Sequence, residues 1–370
     1  MTPLRIGVNA LYLIPGGVGG TEIYLRALLA ALAGIDPVNQ YLVFVNRESG
    51  VELVPAAPNF MAVSQPVRAR IRPWRIIWEQ TGLPVATVQR RLDILLNPGF
   101  TAPLLCPCPQ VTVFHDLQHK RHPEYFRWFD LPFWNFLLFW AAQISRRLIA
   151  VSEATAADLR QCYRLPASKI RVVPHGVDAA FFDVGRRRRP ERIVLAVSTL
   201  HPHKNLDGLL RAFAVFREKH PEYRLVVSGM HGFCTNALLA LRESLDLGKV
   251  VEFPGWIPRE DLFDLFARAW AFVYPSLFEG FGMPVLEALA SGIPTACSAI
   301  EPVASIAGEA AVLFDPRDKD AIAAALERIC DDTVTRERLA VDGPRRAATF
   351  SWKAAAQATL ETLLAAAKGA

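Results

Sequence analysis

Cysteine, methionine and long apolar runs are all sparse in this 370-residue chain. Its six cysteines (Cys106, Cys108, Cys162, Cys234, Cys297 and Cys330) are scattered. Cys106-Pro107-Cys108 lacks both the spacing and the histidines of a zinc knuckle. The cysteines read as reduced thiols of a cytosolic protein, not as a disulfide framework. The most apolar run, Leu131–Ile144, spans 14 residues and contains Asn135, short of the ~20 that a bilayer-spanning helix requires. The opening MTPLRIGVNALYL reads as the start of a strand and carries no leader cleavage pattern, so we expect a soluble, cytoplasmic chain. Neither sign of charge dominates: 41 Lys and Arg against 36 Asp and Glu give a formal +5. That mild excess suits anionic ligands or an anionic membrane surface, and nothing singles out nucleic acid as a partner. Internal repeats are missing, as is low complexity outside an Ala-rich tail.

What is present is apolar and alternating. Hydrophobic residues make up 52% of the chain, and the length suits two domains of ~150–200 residues. Strand-like runs at 5–9, 41–46, 92–97, 110–114, 148–151 and 169–173 alternate with helical ones such as Thr21–Ala33 and Glu153–Cys162. The alternation restarts at Ile193 and runs through Trp270–Tyr274. Such a pattern predicts an α/β fold of two parallel sheets. The polar, basic stretch 185–190 reads as a linker, which gives domains at 1–184 and 191–348 with a terminal helix in 349–370. Arg68 to Trp78 interleaves basic and aromatic residues. It suits a helix with a solvated basic face, or a segment touching anionic headgroups or a phosphorylated acceptor.

Tyr274 to Pro294 organises the second half. A buried strand breaks at Glu279-Gly280-Phe281-Gly282, and a helix restarts through Met283, Pro284 and Val285. A strand, a Gly-containing loop and a helix aim unpaired amides at an anion. Glu279 lies beside that helix start and Glu287 one turn in, ~5 Å along the axis. The same residues also suit an ordinary βα turn with a favourable N-terminal acid. Lys204, just ahead of another helix, adds a full charge where an anion would lie. Pro15-Gly16-Gly17-Val18-Gly19-Gly20 permits close backbone approach to a ligand, but it is not the GxGxxG of a dinucleotide site. His115 ends a strand, on the side where open α/β sheets bind ligands. Asp318-Lys319-Asp320 is formally a DxD, yet its position before Ala321–Ala325 marks it as a helix cap, and we expect no metal.

The segment YPSLFEGFGMPVLEALASGIP resembles the nucleotide-binding signature of the group-1, family 4 retaining glycosyltransferases. STLHPHKN (Ser198–Asn205) is similar to a second motif of that family, His115-Asp116 to a third, and Pro174-His175-Gly176-Val177-Asp178 to a fourth. The resemblance implies a GT-B fold, with two Rossmann-like domains facing a cleft and a C-terminal helix crossing back to the first domain. It implies metal-independent, retaining transfer of a hexosyl group from a nucleotide-diphosphate sugar, with no cofactor. On this reading Lys204 and Thr199 hold the diphosphate together with the glycine loop (Gly16, Gly17, Gly19, Gly20) and the amides of Gly280–Val285. Glu287 takes the ribose diol, while Glu279 and His115 face the transferred sugar. Met230 and Ile257 flank the base. Thr199 stands where many members carry Arg, and Ser198 replaces a usual Gly.

His115-Asp116, Trp78-Glu79-Gln80 and Lys204-Asn205 look most like members that use GDP-mannose. UDP- or ADP-sugar-dependent glucosyl transfer stays open, and so does a non-catalytic sugar-nucleotide-binding partner, which Thr199 motivates. An epimerase of the same fold is disfavoured by the Glu279/Glu287 pair. The expected acceptor is a glycan or lipid-linked glycan of the cell surface, met at the inner face of the membrane.

Overall fold

A computed structural model describes residues 3–17 and 19–369. The chain divides into two units, Met1–Gly176 with Ser351–Ala370, and Val177–Phe350.

Among the described residues, the strands of the first unit are β1 (Arg5–Asn9), β2 (Gln40–Val45), β3 (Phe60–Ser64), β4 (Ile94–Asn97), β5 (Gln110–Phe114), β6 (Arg147–Ala150) and β7 (Ile170–Val172). They form a parallel sheet in the order β3-β2-β1-β4-β5-β6-β7. The inner strands are apolar without alternation because helices cover both faces of the sheet; Ile6, Val8, Ile94, Leu95 and Leu96 are all fully buried. The edge strand β3 is different, with Phe60 buried beside an exposed Met61. The C-terminal helix Trp352–Lys368 belongs to this unit, as expected, and packs on Gly20–Ile35. Ser351 Oγ caps it by accepting from Ala354 N at 3.1 Å, and Arg146 donates to the Ala366 carbonyl at 2.7 Å near its other end.

The second unit contains β8 (Ile193–Val197), β9 (Arg224–Ser228), β10 (Val251–Gly255), β11 (Ala271–Tyr274), β12 (Thr295–Ser298) and β13 (Val312–Phe314). They are parallel, in the order β10-β9-β8-β11-β12-β13. Phe213 and Phe216 of the helix Leu206–Lys219 anchor the core on one face. Gly185–Pro190, expected as a linker, lies inside this unit. Arg188 donates to the carbonyls of Gly292 and Ala269, and Arg189 pairs with Asp264. Cations at helix C-termini satisfy orphan carbonyls, which explains why a run of like charge is held in place.

Each sheet reverses direction once. The chain winds outward from β1 to β3 and returns to β4 on the other side of β1; β8, β10 and β11 repeat the manoeuvre. Ligands of open α/β sheets bind beyond the strand carboxyl ends where the order reverses. The loops after β1 and β4, and after β8 and β11, therefore hold the positions of interest within their units.

Candidate functional site

In the second unit, Lys204 closes a short turn, Pro202–Lys204, after β8. Asn205 follows in the left-handed region (φ 52) and begins the helix Leu206–Lys219. Its side-chain amide donates to Pro275 O at 3.2 Å and Pro316 O at 2.6 Å, and Leu277 N donates to His203 O at 2.7 Å. The loops that leave β8 and β11 are thus tied together by backbone carbonyls. That tie places Lys204 Nζ 2.5 Å from Glu279 Oε1, both side chains being 11% exposed. Lys204 also donates to Tyr274 Oη at 3.2 Å. Burial, reinforced by the Glu279 charge, pushes the Tyr274 phenol well above its usual range. Both side chains are largely withdrawn from water, so removing one partner leaves the other without its counter-charge.

The helix Met283–Ala290 starts one residue before Pro284. Gly282 at φ 114 supplies a backbone turn that side chains disfavour. Its carbonyl accepts from Val285 N at 3.1 Å. Phe281 is buried edge-on against Phe350 at 6.1 Å, and Val285 and Leu286 are fully buried, which fixes the helix start. Pro284 has no N–H, so the amides of Gly282 and Met283 stand at the open end without intrahelical acceptors. Gly280 lies half-buried in the same loop.

Glu287 is half-buried one turn further on. Its carboxylate accepts no hydrogen bond from the described residues. Burial pushes its pKa up to about 8; Arg259 pulls it down and Asp178 pushes it up. Asp178 and Arg259 are themselves ion-paired. Thr199, Met230 and Ile257 are half-buried at the ends of β8, β9 and β10, and Leu200 N donates to Met230 O at 3.0 Å.

In the first unit, His115 follows β5 and is 7% exposed. Its Nε2 lies 2.9 Å from Pro98 O. A carbonyl accepts only, so Nε2 carries the proton and Nδ1 is the acceptor. Tyr24, Phe100 and His175 surround the ring at 4.8, 5.1 and 5.6 Å, and burial lowers its pKa to about 4. His115 is therefore neutral near pH 7.

The glycine loop is partly committed. Gly16 N donates to Glu22 Oε2 at 2.8 Å, Gly17 N to Ile14 O at 2.8 Å, and Glu22 pairs with Arg26 at 2.9 Å. Gly19 (φ 58) precedes Gly20 at the start of the helix. Thr21, where the sequence pattern starts the helix, falls inside the first turn, because the helix begins at Gly20 with Gly19 as its cap. Val18 lies outside the described residues. In Asp318-Lys319-Asp320, Asp318 Oδ1 accepts from Asp320 N at 2.8 Å and Ala321 N at 3.2 Å, the capping role expected. Among the described residues no three His, Cys, Asp or Glu side chains are grouped as metal ligands.

The structure therefore joins Lys204 to Glu279 and sets Glu287 one turn along the neighbouring helix, all in one unit; His115 and the glycine loop belong to the other. Sequence reasoning missed Tyr274 as a Lys204 partner, Asn205 as the tie between loops, and the Asp178–Arg259 pair near Glu287. Tyr274 opens the motif and Asp178 closes another, so both signals were present. Their partners lie 70 and 81 residues away in the chain.

Residues 178–346 match the model of "Glycosyl transferases group 1", and residues 18–181 that of "Glycosyltransferase Family 4". The chain is 30% identical over 258 residues to the O-antigen chain mannosyltransferase B of Escherichia coli, covering 66% of this chain and 67% of that protein. It is 33% identical over 262 residues to the MMP alpha-(1->4)-mannosyltransferase of Mycolicibacterium hassiacum, covering 67% of this chain and 63% of that one. In three dimensions it resembles sucrose-phosphate synthase from Thermosynechococcus elongatus, with a TM-score of 0.79 at 20% identity over 97% of this chain and 98% of that chain.

Proposed function

Because the chain belongs to the group 1, family 4 glycosyltransferases, we propose that it transfers a hexosyl group from a nucleotide-diphosphate sugar to a glycan or lipid-linked glycan, with retention and without a metal. The carrying observation is the largely buried Lys204–Glu279 pair, each side chain 11% exposed, set by the loops that flank the reversal point of the second sheet. Mannose from GDP-mannose is the favoured donor, since the relatives at 30% and 33% identity are both named mannosyltransferases.

On this reading Lys204 and the amides at Gly280–Val285 take the diphosphate, and their charge stabilises the leaving group as it departs. That supplies the role a divalent cation plays elsewhere. Glu287, a carboxylate with no hydrogen-bond donor of its own, takes the two ribose hydroxyls. Glu279 holds sugar hydroxyls next to the diphosphate. His115 meets the sugar as a neutral hydrogen-bonding group, because burial keeps it uncharged. Gly19 and Gly20 are the members of the glycine loop left to face phosphate; the amides of Gly16 and Gly17 already have acceptors. Thr199 lines the diphosphate side, and Met230 and Ile257 flank the base.

No helix among the described residues is long and apolar enough to cross a membrane. The helix Leu131–Ile144 nevertheless exposes Phe133, Phe136 and Trp140, preceded by Trp128 at 83% exposure and Phe129. Arg127 lies over the Phe129 ring at 5.9 Å, and Trp74 and Ile77 are exposed on the helix Arg72–Gln89. Aromatic residues mixed with arginine suit the headgroup layer of an anionic bilayer, where a lipid-linked acceptor is found.

The test is a thermal-shift and hydrolysis panel of GDP-, UDP- and ADP-sugars with excess chelator. Stabilisation by GDP-mannose with slow release of GDP supports the reading. Conversion of the sugar without release, or a response to none of the panel, contradicts it.

A further inference from the structure

A cavity of about 430 Å³ lies within the first unit, lined by Tyr12, Gly17, Arg72, Arg75, Asp116 and Trp134 among others. That volume falls in the range of small-molecule sites. Arg75 is 8% exposed, and its Nε is buried without an acceptor. Its guanidinium makes no hydrogen bond or ion pair with the described residues.

The natural counterion is Glu79, one turn along the same helix, but its oxygens are engaged elsewhere. Glu79 Oε1 accepts from Asn9 Nδ2 at 3.0 Å and from Thr101 Oγ1 at 2.7 Å. Burial also raises the carboxyl towards its neutral form, against the pull of Arg75. Arg72 lies over the Trp134 ring at 5.2 Å with no carboxylate partner. Asp116 is an acid on the wall, and its Oδ1 accepts from Gln118 N at 2.9 Å. His119, also on the wall, is kept neutral by burial, its Nε2 lying 2.7 Å from Tyr163 Oη. Two guanidinium groups thus face a cavity whose acid is already hydrogen-bonded. A buried guanidinium with spare parallel donors fits the oxygens of a phosphate bidentately.

We propose that this cavity binds a phosphate group carried by the acceptor, a sugar phosphoester or diphosphoester on a lipid, with Arg75 and Arg72 as its anion-binding residues. The proposal rests on the transferase reading above. Trp134 belongs to the helix that also exposes Phe133, Phe136 and Trp140. An acceptor with its phosphate in the cavity therefore has an apolar face nearby for its lipid.

The test titrates octyl α-mannosyl phosphate, neutral octyl α-mannoside and inorganic phosphate into the full chain, followed by calorimetry. The phosphorylated glycoside should bind at least tenfold more tightly than the neutral one. Arg75→Gln and Arg72→Gln should each erase that preference and leave GDP-mannose affinity unchanged. Arg72 is exposed, so its variant answers the question even if Arg75→Gln fails to fold. Equal binding of the two glycosides, or a preference that survives both substitutions, overturns the proposal. So does inorganic phosphate binding as tightly as the phosphorylated glycoside, which would mark a site for free phosphate. A parallel loss of GDP-mannose affinity would assign the cavity to the donor and also overturns it. If the Arg-dependent preference holds while no nucleotide sugar binds, the anion site stands and the donor reading falls.

Discussion

Lys204 Nζ and Glu279 Oε1 lie 2.5 Å apart although 75 residues separate them in sequence. Glu279 thus neutralises the cation that is proposed to meet the donor diphosphate, so the two acids compete for one ammonium. Replacing the carboxylate by an isosteric amide removes the competitor and keeps the hydrogen-bonding shape. Glu279→Gln should tighten binding of free nucleoside diphosphate several-fold and lower turnover by about 10²-fold or more, because the negative charge at the reacting face is lost. Titration calorimetry with GDP and initial rates with GDP-mannose check both halves. Weaker GDP binding in this variant would show that Glu279 positions Lys204 instead of competing with the diphosphate.

Glu287 makes the second prediction, one of pH. Its folded pKa is about 8, above the ordinary carboxylate value of 4.5. A raised carboxyl contributes stability that is fully present below the unfolded value and is lost as pH rises through the folded one. The unliganded protein should therefore lose stability between about pH 5 and 8, and Glu287→Gln should flatten that slope. Donor affinity should run the other way. Ribose hydroxyls donate to the ionised carboxylate, so affinity should rise towards pH 8 by at most about tenfold per pH unit, the limit for one linked proton. Melting curves and donor titrations at pH 6, 7 and 8 on both proteins measure this. A wild-type affinity that is flat with pH would remove Glu287 from the ribose.

The histidines govern the acid side. Burial lowers His115 and His119 to about 4 from an ordinary value of 6.5. A depressed histidine contributes stability that is present above pH 6.5 and is lost as pH falls through its folded value. Denaturant midpoints should therefore drop between pH 6.5 and 4, and His115→Gln should make that fall shallower. An unchanged acid limb would place the titration on other groups.

The exposed aromatic face yields a prediction about membranes. Wild-type protein should co-sediment with vesicles containing phosphatidylglycerol and not with pure phosphatidylcholine, and binding should weaken as salt rises. Trp128→Ser with Phe136→Ser should reduce binding about tenfold or more without shifting the melting temperature, since both side chains are exposed. Equal binding to neutral and anionic vesicles would deny the basic residues a part.

The two sheets were legible because their inner strands are buried on both faces and so read as unbroken apolar runs. β3 was missed because Phe60–Val63 is a short apolar run on a half-exposed edge, and β12 and β13 because they are only four and three residues long. Lys204, Glu279 and Glu287 were singled out by local punctuation, a strand followed by a glycine loop and a helix, which depends on neighbours in sequence. Arg75 was visible only as one of a run of basic residues. Its missing acceptor depends on Glu79 being engaged by Asn9 and Thr101, 70 and 22 residues away, and no local pattern encodes that. The stretch 185–190 misled for the same reason: its like charges read as repulsive until the helix C-terminal carbonyls that hold Arg188 are known.

Lys204→Met asks whether one ammonium holds the diphosphate, with GDP-mannose binding and turnover measured on folded protein in the presence of chelator. Turnover should fall by roughly 10²–10³-fold and GDP affinity should drop sharply, with no rescue by Mg²⁺. Wild-type turnover in that variant, or recovery on adding Mg²⁺, would show that the diphosphate is held elsewhere.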